Sequence, residues 1–312
     1  MNWEEALLGF KNFLLIDKSL SDNTLDAYLY DVNLFRTYLG EGVNPIEVKI
    51  EHVQKFLIHL DENKGISENS QARCLSGIRA FYKYLLYEDV INYNPLEFVD
   101  SPKTVRKLPQ VLSFEEIIRI EEAMDVSKPE TFRDKVMIET LYSCGLRVSE
   151  LVNLKISNLR FRSRVILVRG KGDKQRIVPI GRYAIKLIKL YINGTRAQLK
   201  IQKGYEDYVF LNRRGKKLTR VYVFSMIKKA VENAGIQKTV SPHTFRHSFA
   251  THLLDRGADL NAIKMMLGHE SITTTEIYTH IDRQYLADAI LSCHPRYKIR
   301  KKFSNNNRIN PF

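Results

Sequence analysis

The segment Ser101-Pro102-Lys103-Thr104-Val105-Arg106-Lys107-Leu108-Pro109 constrains the fold of this chain more than any other. It is short, basic and flanked by prolines, and a residue before proline is driven out of the helical region. It therefore reads as a linker between two domains, which a chain of 312 residues is long enough to hold. Charge changes sign across it. Residues 1–106 carry 11 Lys and Arg against 16 Asp and Glu, whereas residues 107–312 carry 38 against 19. A net charge of +14 gathered in the second part points to a polyanionic partner. A hydrophobic content of 44% supports real cores and excludes a disordered composition.

The first part, 1–100, reads as a helical bundle. Trp3, Leu7, Phe10, Phe13 and Leu14 recur at helical spacing over 3–16. Ser21 is placed to cap a helix over 24–39, striped by Leu25, Leu29, Val32 and Phe35. Further helices are expected over 50–61 and 67–88, and Asn94-Pro95 ends the block. The second part, 110–297, reads as mixed α+β, mainly helical with a small sheet. Ser113 and Glu116 form a capping box for a helix over 114–124, and a helix over 131–143 stops at Gly145. Residues 164–179 form a hairpin turning at Gly170-Lys171-Gly172-Asp173, and 207–211 is expected as a short strand. Helices follow over 219–234, from Pro242 to Gly257, from Asp259 to Gly268, over 274–280 and over 284–291. Residues 298–312 are a basic, Asn-rich tail.

Three cysteines, Cys74, Cys144 and Cys293, lie far apart, so neither a disulfide framework nor a zinc module is expected. The acidic start Met-Asn-Trp-Glu-Glu lacks the pattern of a signal peptide, and no apolar run approaches a membrane span of about 20 residues. A cytoplasmic protein is the expectation.

Six positions in the second part carry chemistry: Arg147, Lys171, His243, Arg246, His269 and Tyr278. Arg147 opens a helix with Glu150 three residues on, a spacing that lets the carboxylate hold the guanidinium. His243 and Arg246 share one helix face near an N-terminus, where N–H groups favour anions. A guanidinium grips two phosphate oxygens at once, and a histidine can carry a proton. His243 and His247 have an i,i+4 ligand spacing, but no Glu follows the first His and no third ligand is placed, so no metal is assigned. Lys171 sits between glycines at a turn and can reach into a groove, and His269 follows Gly268 at a helix end. A tyrosine hydroxyl has a pKa of about 10 and becomes a useful nucleophile only beside cations or a base. Each string alone also fits an ordinary capped helix, exposed turn or packed aromatic.

Together and in this order, Gly-Leu-Arg-Val-Ser-Glu-Leu, Gly-Lys-Gly-Asp-Lys, His-Thr-Phe-Arg-His, Leu-Gly-His and Thr-Glu-Ile-Tyr-Thr-His resemble the tyrosine recombinase signature. The ending Cys293-His294-Pro295-Arg296 is similar to that of its Xer-type members, and the likeness runs over about residues 2–297. The tail 298–312 departs from it. The resemblance implies a helical core-binding domain of the SAM-like kind and a catalytic domain, clamping double-stranded DNA. It implies that Tyr278 attacks a phosphodiester to form a 3′-phosphotyrosyl link, with Arg147 and Arg246 on the phosphate. Lys171 would protonate the leaving oxygen, His243 shuttle a proton, His269 donate a hydrogen bond and Glu150 orient Arg147. It also implies strand exchange through a Holliday junction by a homo- or hetero-tetramer, neighbours being joined by a C-terminal helix at about 284–294. Neither ATP, metal nor other cofactor is required. A paralogous recombinase or a DNA translocase is a possible further partner. Arg73, Arg79 and Lys83 are expected as a basic strip on the acidic first domain, with Lys174, Arg213 and Arg214 as further DNA contacts. Chromosome dimer resolution is the role expected. An integrase of a mobile element, a topoisomerase of type IB and a non-catalytic DNA-binding protein stay open as alternatives.

Overall fold

The computed structural model describes residues 1–16, 18, 20, 22–62, 65–102, 110–170, 175–268 and 280–296; of residues 22 and 280–284 it describes the backbone alone. The chain forms two compact units, Met1–Lys107 and Leu108–Phe312. No helix among the described residues is long and apolar enough to cross a membrane.

Unit 1 is built from α1 (Trp3–Ile16), α2 (Asp22–Leu39), α3 (Ile50–Glu62) and α4 (Glu68–Tyr87). The stripes read in the sequence meet in one aromatic core. Trp3 stacks on Phe81 at 5.8 Å between centroids, Phe10 meets Phe81 edge-on at 5.3 Å, and Phe35 packs on Phe56 at 4.9 Å. The polar end of Trp3 is satisfied by the carbonyl of Val43 at 2.8 Å. Ser21 lies outside the described residues.

In unit 2, Ser113 and Glu116 close their capping box at 2.7 and 3.2 Å and start α5 (Phe114–Glu122). The next helix, α6 (Pro129–Cys144), is buried almost all round, and Gly145 ends it with φ 57°. A short α7 (Val148–Val152) follows. An antiparallel three-stranded sheet of β1 (Leu159–Arg160), β2 (Val165–Arg169) and β3 (Gln175–Pro179) pairs Leu159 with Ile166 and Val168 with Arg176. Then come α8 (Arg182–Asn193), α9 (Arg220–Asn233), α10 (Pro242–Leu254), α11 (Leu260–Leu267) and α12 (His280–Cys293). The sheet is a small addition to a helical unit, as the sequence pattern implies.

Four details differ from the sequence reading. Residues 207–211 form no ladder strand: Tyr208 and Leu211 make only isolated bridges, to Lys155 and Lys217. The Arg196 guanidinium takes the carbonyls of Tyr208 and Glu206 at 3.0 and 2.5 Å, so these acceptors are satisfied by a side chain where a neighbouring strand would otherwise serve. The helix α8 was not anticipated, although Ala184, Leu187, Ile188 and Tyr191 bury one of its faces at i, i+3, i+4, i+7 spacing. The helix from Pro242 ends at Leu254, before Gly257. The last helix runs from His280 to Cys293 and so extends beyond 284–291 at both ends. The helix expected over 274–280 lies outside the described residues apart from its final position, which is the start of α12.

The end of α12 is anchored in unit 2. Leu286, Ile290 and Cys293 are buried in its core, and His294 packs on Tyr142 and Phe249. Arg296 reaches Glu121 of α5 and Glu139 of α6, the latter at 2.7 Å, and stacks over Phe114 and Tyr183. Burial pushes the Glu139 carboxyl well up, and the neighbouring Glu121 charge adds to the rise. Two carboxyls thus share one guanidinium.

Candidate active site

The site is organised around Glu150, buried in the first turn of α7. Its Oε2 accepts the backbone N–H of Arg147 at 2.7 Å, half of a capping box, since a guanidinium can accept nothing. Its Oε1 accepts the Arg147 side chain at 3.0 Å. From β3, Arg176 forks onto the same carboxylate at 2.6 and 2.8 Å. Arg246 of α10 stands 3.9 Å away. Burial alone pushes the Glu150 carboxyl up, but hydrogen bonds and charge from Arg176, then from Arg147, hold it below its ordinary value.

The three arginines share a second partner. The end of α11 leaves orphan carbonyls, and Gly268, at φ 65°, turns them into the site. Arg176 Nε donates to Met266 O at 2.7 Å, Arg246 to Leu267 O at 2.5 Å and Arg147 to Gly268 O at 3.1 Å. Three consecutive carbonyls at the negative end of a helix thus hold three guanidiniums in a row. Arg246 also donates to Gly145 O at 2.8 Å, which ties the end of α6 to the end of α11. Gly145 is required there twice over, by its left-handed backbone and because a Cβ would lie 2.5 Å from the Phe249 ring.

Three guanidiniums against one carboxylate leave a local charge of about +2, suited to an anionic phosphate. The arginines differ in access. The Arg147 side chain is 33% exposed, whereas Arg176 and Arg246 are almost covered. Burial, with the neighbouring Arg147 charge, brings Arg246 down to about 10, still protonated at neutral pH. His243 is exposed in the first turn of α10, three residues before Arg246 and after Pro242. The structure therefore brings Arg147, Glu150 and Arg246 together and places His243 on the helix that carries Arg246. Lys171, His269 and Tyr278 lie outside the described residues. So does Lys174. His252, further along α10, is engaged by the Tyr142 hydroxyl at 2.9 Å.

Residues 110–285 match the phage integrase family, and residues 7–89 match the phage integrase N-terminal SAM-like domain. The chain belongs to the phage integrase family. It is 42% identical over 298 residues to "Tyrosine recombinase XerD" of Chlorobaculum tepidum, covering 94% of this chain and 97% of the relative. Its identity to the protein of the same name from Staphylococcus aureus strain Mu50 is 40% over 295 residues, covering 94% and 99%. In fold it resembles the Tn1549 transposon integrase in complex with transposon right end DNA, at TM-score 0.71 and 22% identity over 89% of this chain and 97% of that one. It also resembles the XerH site-specific recombinase bound to a palindromic difH substrate, at TM-score 0.68 and 24% identity over 92% and 96%. The protein is thus a tyrosine site-specific DNA recombinase.

Arg176 is the residue of this recombinase site that the sequence reading missed. No alternation marked it: residues 176–179 of β3 are all buried, so both faces are covered, and an arginine there demands a buried acceptor. Of the surface candidates, Arg73 forks onto the fully buried Asp31 at 2.7 and 2.8 Å, and Arg79 donates to Ser101 Oγ at 2.9 Å and to Val99 O. Burial nonetheless keeps the Asp31 carboxyl above its ordinary value. Lys83 is exposed on α4. Arg213 and Arg214 are exposed on a turn in which Asn212 Oδ1 accepts the N–H groups of Arg214 and Lys216 at 2.8 and 3.2 Å.

Proposed function

We propose that this recombinase is a Xer-type enzyme that resolves chromosome dimers in the cytoplasm. The Tyr278 oxygen attacks a DNA phosphorus, and the bond from phosphorus to the 5′-oxygen breaks. A 3′-phosphotyrosyl link remains, and the 5′-oxygen takes a proton from Lys171. His243 receives and returns the tyrosine proton, and His269 donates to a phosphate oxygen. Arg147 and Arg246 hold the non-bridging oxygens as charge grows in the pentacoordinate transition state. A 5′-hydroxyl from the partner strand then attacks the link and frees Tyr278, so the bond energy is conserved. Two such rounds pass through a Holliday junction within a tetramer. In that tetramer the helix around 284–294 leaves the place it fills in its own unit 2, where Leu286, Ile290 and Cys293 are buried, and takes the same place on a neighbour, while a paralogue or DNA translocase sets when exchange occurs. Exposed Lys83, Arg213 and Arg214 contact the DNA backbone, with Lys174 beside Lys171.

The observation that carries the reading is the row of guanidiniums on Glu150 and the α11 carbonyls, a preorganised anion site whose members stand in the recombinase order. The Xer assignment is supported by curated relatives near 40% identity over almost the whole chain. The test is a nicked suicide duplex carrying a Xer-type site, incubated without Mg²⁺ and run on a denaturing gel. A covalent adduct that disappears in Tyr278→Phe is expected. Tight duplex binding with no adduct would overturn the catalytic reading.

A further inference from the structure

Between α8 and the turn before β2, unit 2 carries a groove of about 390 Å³. Its floor is apolar, with Phe161 and Leu190, and its rim is cationic, with Arg164, Arg182, Lys186 and Lys189. Lys189 stands 5.5 Å over the Phe161 ring, and none of the four cations has an ion-pair partner among the described residues. The chain that forms the groove is strongly basic: residues 151–205 hold fourteen Lys and Arg and one acid, Asp173. The groove is separate from the catalytic arginines. Arg164 and Arg182 flank the end of the hairpin where Val165 pairs with Pro179, whereas Arg176 lies three residues away along β3, roughly 10 Å at the strand rise.

An occupant must bring carboxylates for the rim and an apolar side chain for the floor. Duplex DNA offers phosphates but no exposed apolar anchor. Unit 1 of this same protein offers both. Phe98 is 83% exposed, the most exposed large hydrophobic among the described residues, and it stands between the exposed Glu97 and Asp100. Its presentation is fixed. Leu96 and Val99 on either side are buried, Asn94 Oδ1 accepts the Leu96 N–H at 2.9 Å, and Arg79 holds the Val99 carbonyl. We propose that Phe98 of one copy docks into the α8 groove of a second copy, with Glu97 and Asp100 facing the rim cations. Each copy then gives one Phe98 and offers one groove, a head-to-tail contact that closes into a ring when the rotation allows. Only the size of that ring rests on the proposed tetramer; the contact itself is independent of the strand chemistry.

The test uses full-length chains. Tagged Phe98→Cys protein is mixed with untagged Leu190→Cys protein under mild oxidation. Native Cys74, Cys144 and Cys293 are buried, so background linking is low. A disulfide-linked heterodimer is expected, well above that formed when Leu8→Cys, exposed on the same unit, replaces Phe98→Cys. By sedimentation, Phe98→Ala is expected to weaken self-association roughly 10- to 100-fold. Lys186→Glu with Lys189→Glu weakens it too, and adding Glu97→Lys with Asp100→Lys restores it. All these side chains are exposed, and a thermal melt confirms folding. Linking no greater than the Leu8 control, or self-association unchanged by Phe98→Ala, overturns the proposal. The phosphotyrosyl adduct is measured in parallel. An adduct without docking sinks only this contact, and docking without an adduct sinks only the catalytic reading.

Discussion

Replacing Glu150 by glutamine tests whether the carboxylate holds the arginine row together. The substitution keeps shape and volume but removes the charge that accepts two bonds from Arg176 and two from Arg147. The amide nitrogen then faces guanidiniums that can only donate. Breaking a buried pair by removing one partner costs about 3–5 kcal/mol. At about 2–4 °C per kcal/mol for a unit of this size, unit 2 should melt some 6–20 °C lower. The chain carries an internal control. Its single tryptophan, Trp3, is buried in the core of unit 1, so Trp emission follows unit 1 while far-UV circular dichroism follows both units. The circular dichroism transition of unit 2 should move and the Trp3 transition should not. The pH dependence has a definite sign. Because the folded pKa of Glu150 lies below the unfolded one, its contribution is present above about 4.3 and is lost as pH falls through the folded value. The variant should therefore lack part of the wild-type acid limb. Unfolding within about 0.5 kcal/mol of wild type at neutral pH would refute the reasoning, since only surface changes are normally that mild.

Three further outcomes follow from the same geometry. Arg246→Lys, which loses the fork onto Gly145 O and Leu267 O, should cut the rate of adduct formation about 100- to 1000-fold while duplex affinity by gel shift changes little. Gly145→Ala should destabilise unit 2 by about 1–3 kcal/mol in denaturant melts, from its positive φ and the Cβ contact with Phe249. Glu139→Gln should have the opposite pH signature to Glu150→Gln. The raised folded pKa of Glu139 means that wild-type stability is lost as pH rises from about 4.3 through the folded value, so the variant should hold its stability better as pH rises over that range.

What could be read in the sequence was what local chemistry determines. The stripes of Trp3 to Leu14 and Leu25 to Phe35, the Ser113–Glu116 box and the stop at Gly145 depend on residues a few positions apart, and each forms as its spacing implies. The segment 207–211 failed for the complementary reason. Its residues suit a strand, but its backbone meets Leu154 and Ile156 through a single bridge, and Arg196 takes the carbonyls of Glu206 and Tyr208, so no ladder extends. The helix α8 was legible from its periodicity, whereas β3, buried on both faces, gave no alternation to mark Arg176. The site itself was legible only in composition. Arg147, His243 and Arg246 could be named from their strings, yet nothing local says that Arg147, Arg176 and Arg246 would meet on carbonyls 268, 266 and 267. That meeting depends on α7, β3, α10 and the end of α11 converging on one buried carboxylate.

The convergence also explains why so much positive charge can be held where little water reaches. An isolated buried guanidinium is costly to desolvate, and three side by side repel one another. Here one carboxylate takes two of them directly, and backbone acceptors that α11 must leave unsatisfied take one bond from each. The helix end thus lacks acceptor contacts that the arginines supply, and the arginines lack acceptors that the helix end supplies. The residual charge of about +2 suits an anionic phosphate, and Arg147, the most exposed of the three, is the guanidinium that such an anion reaches first.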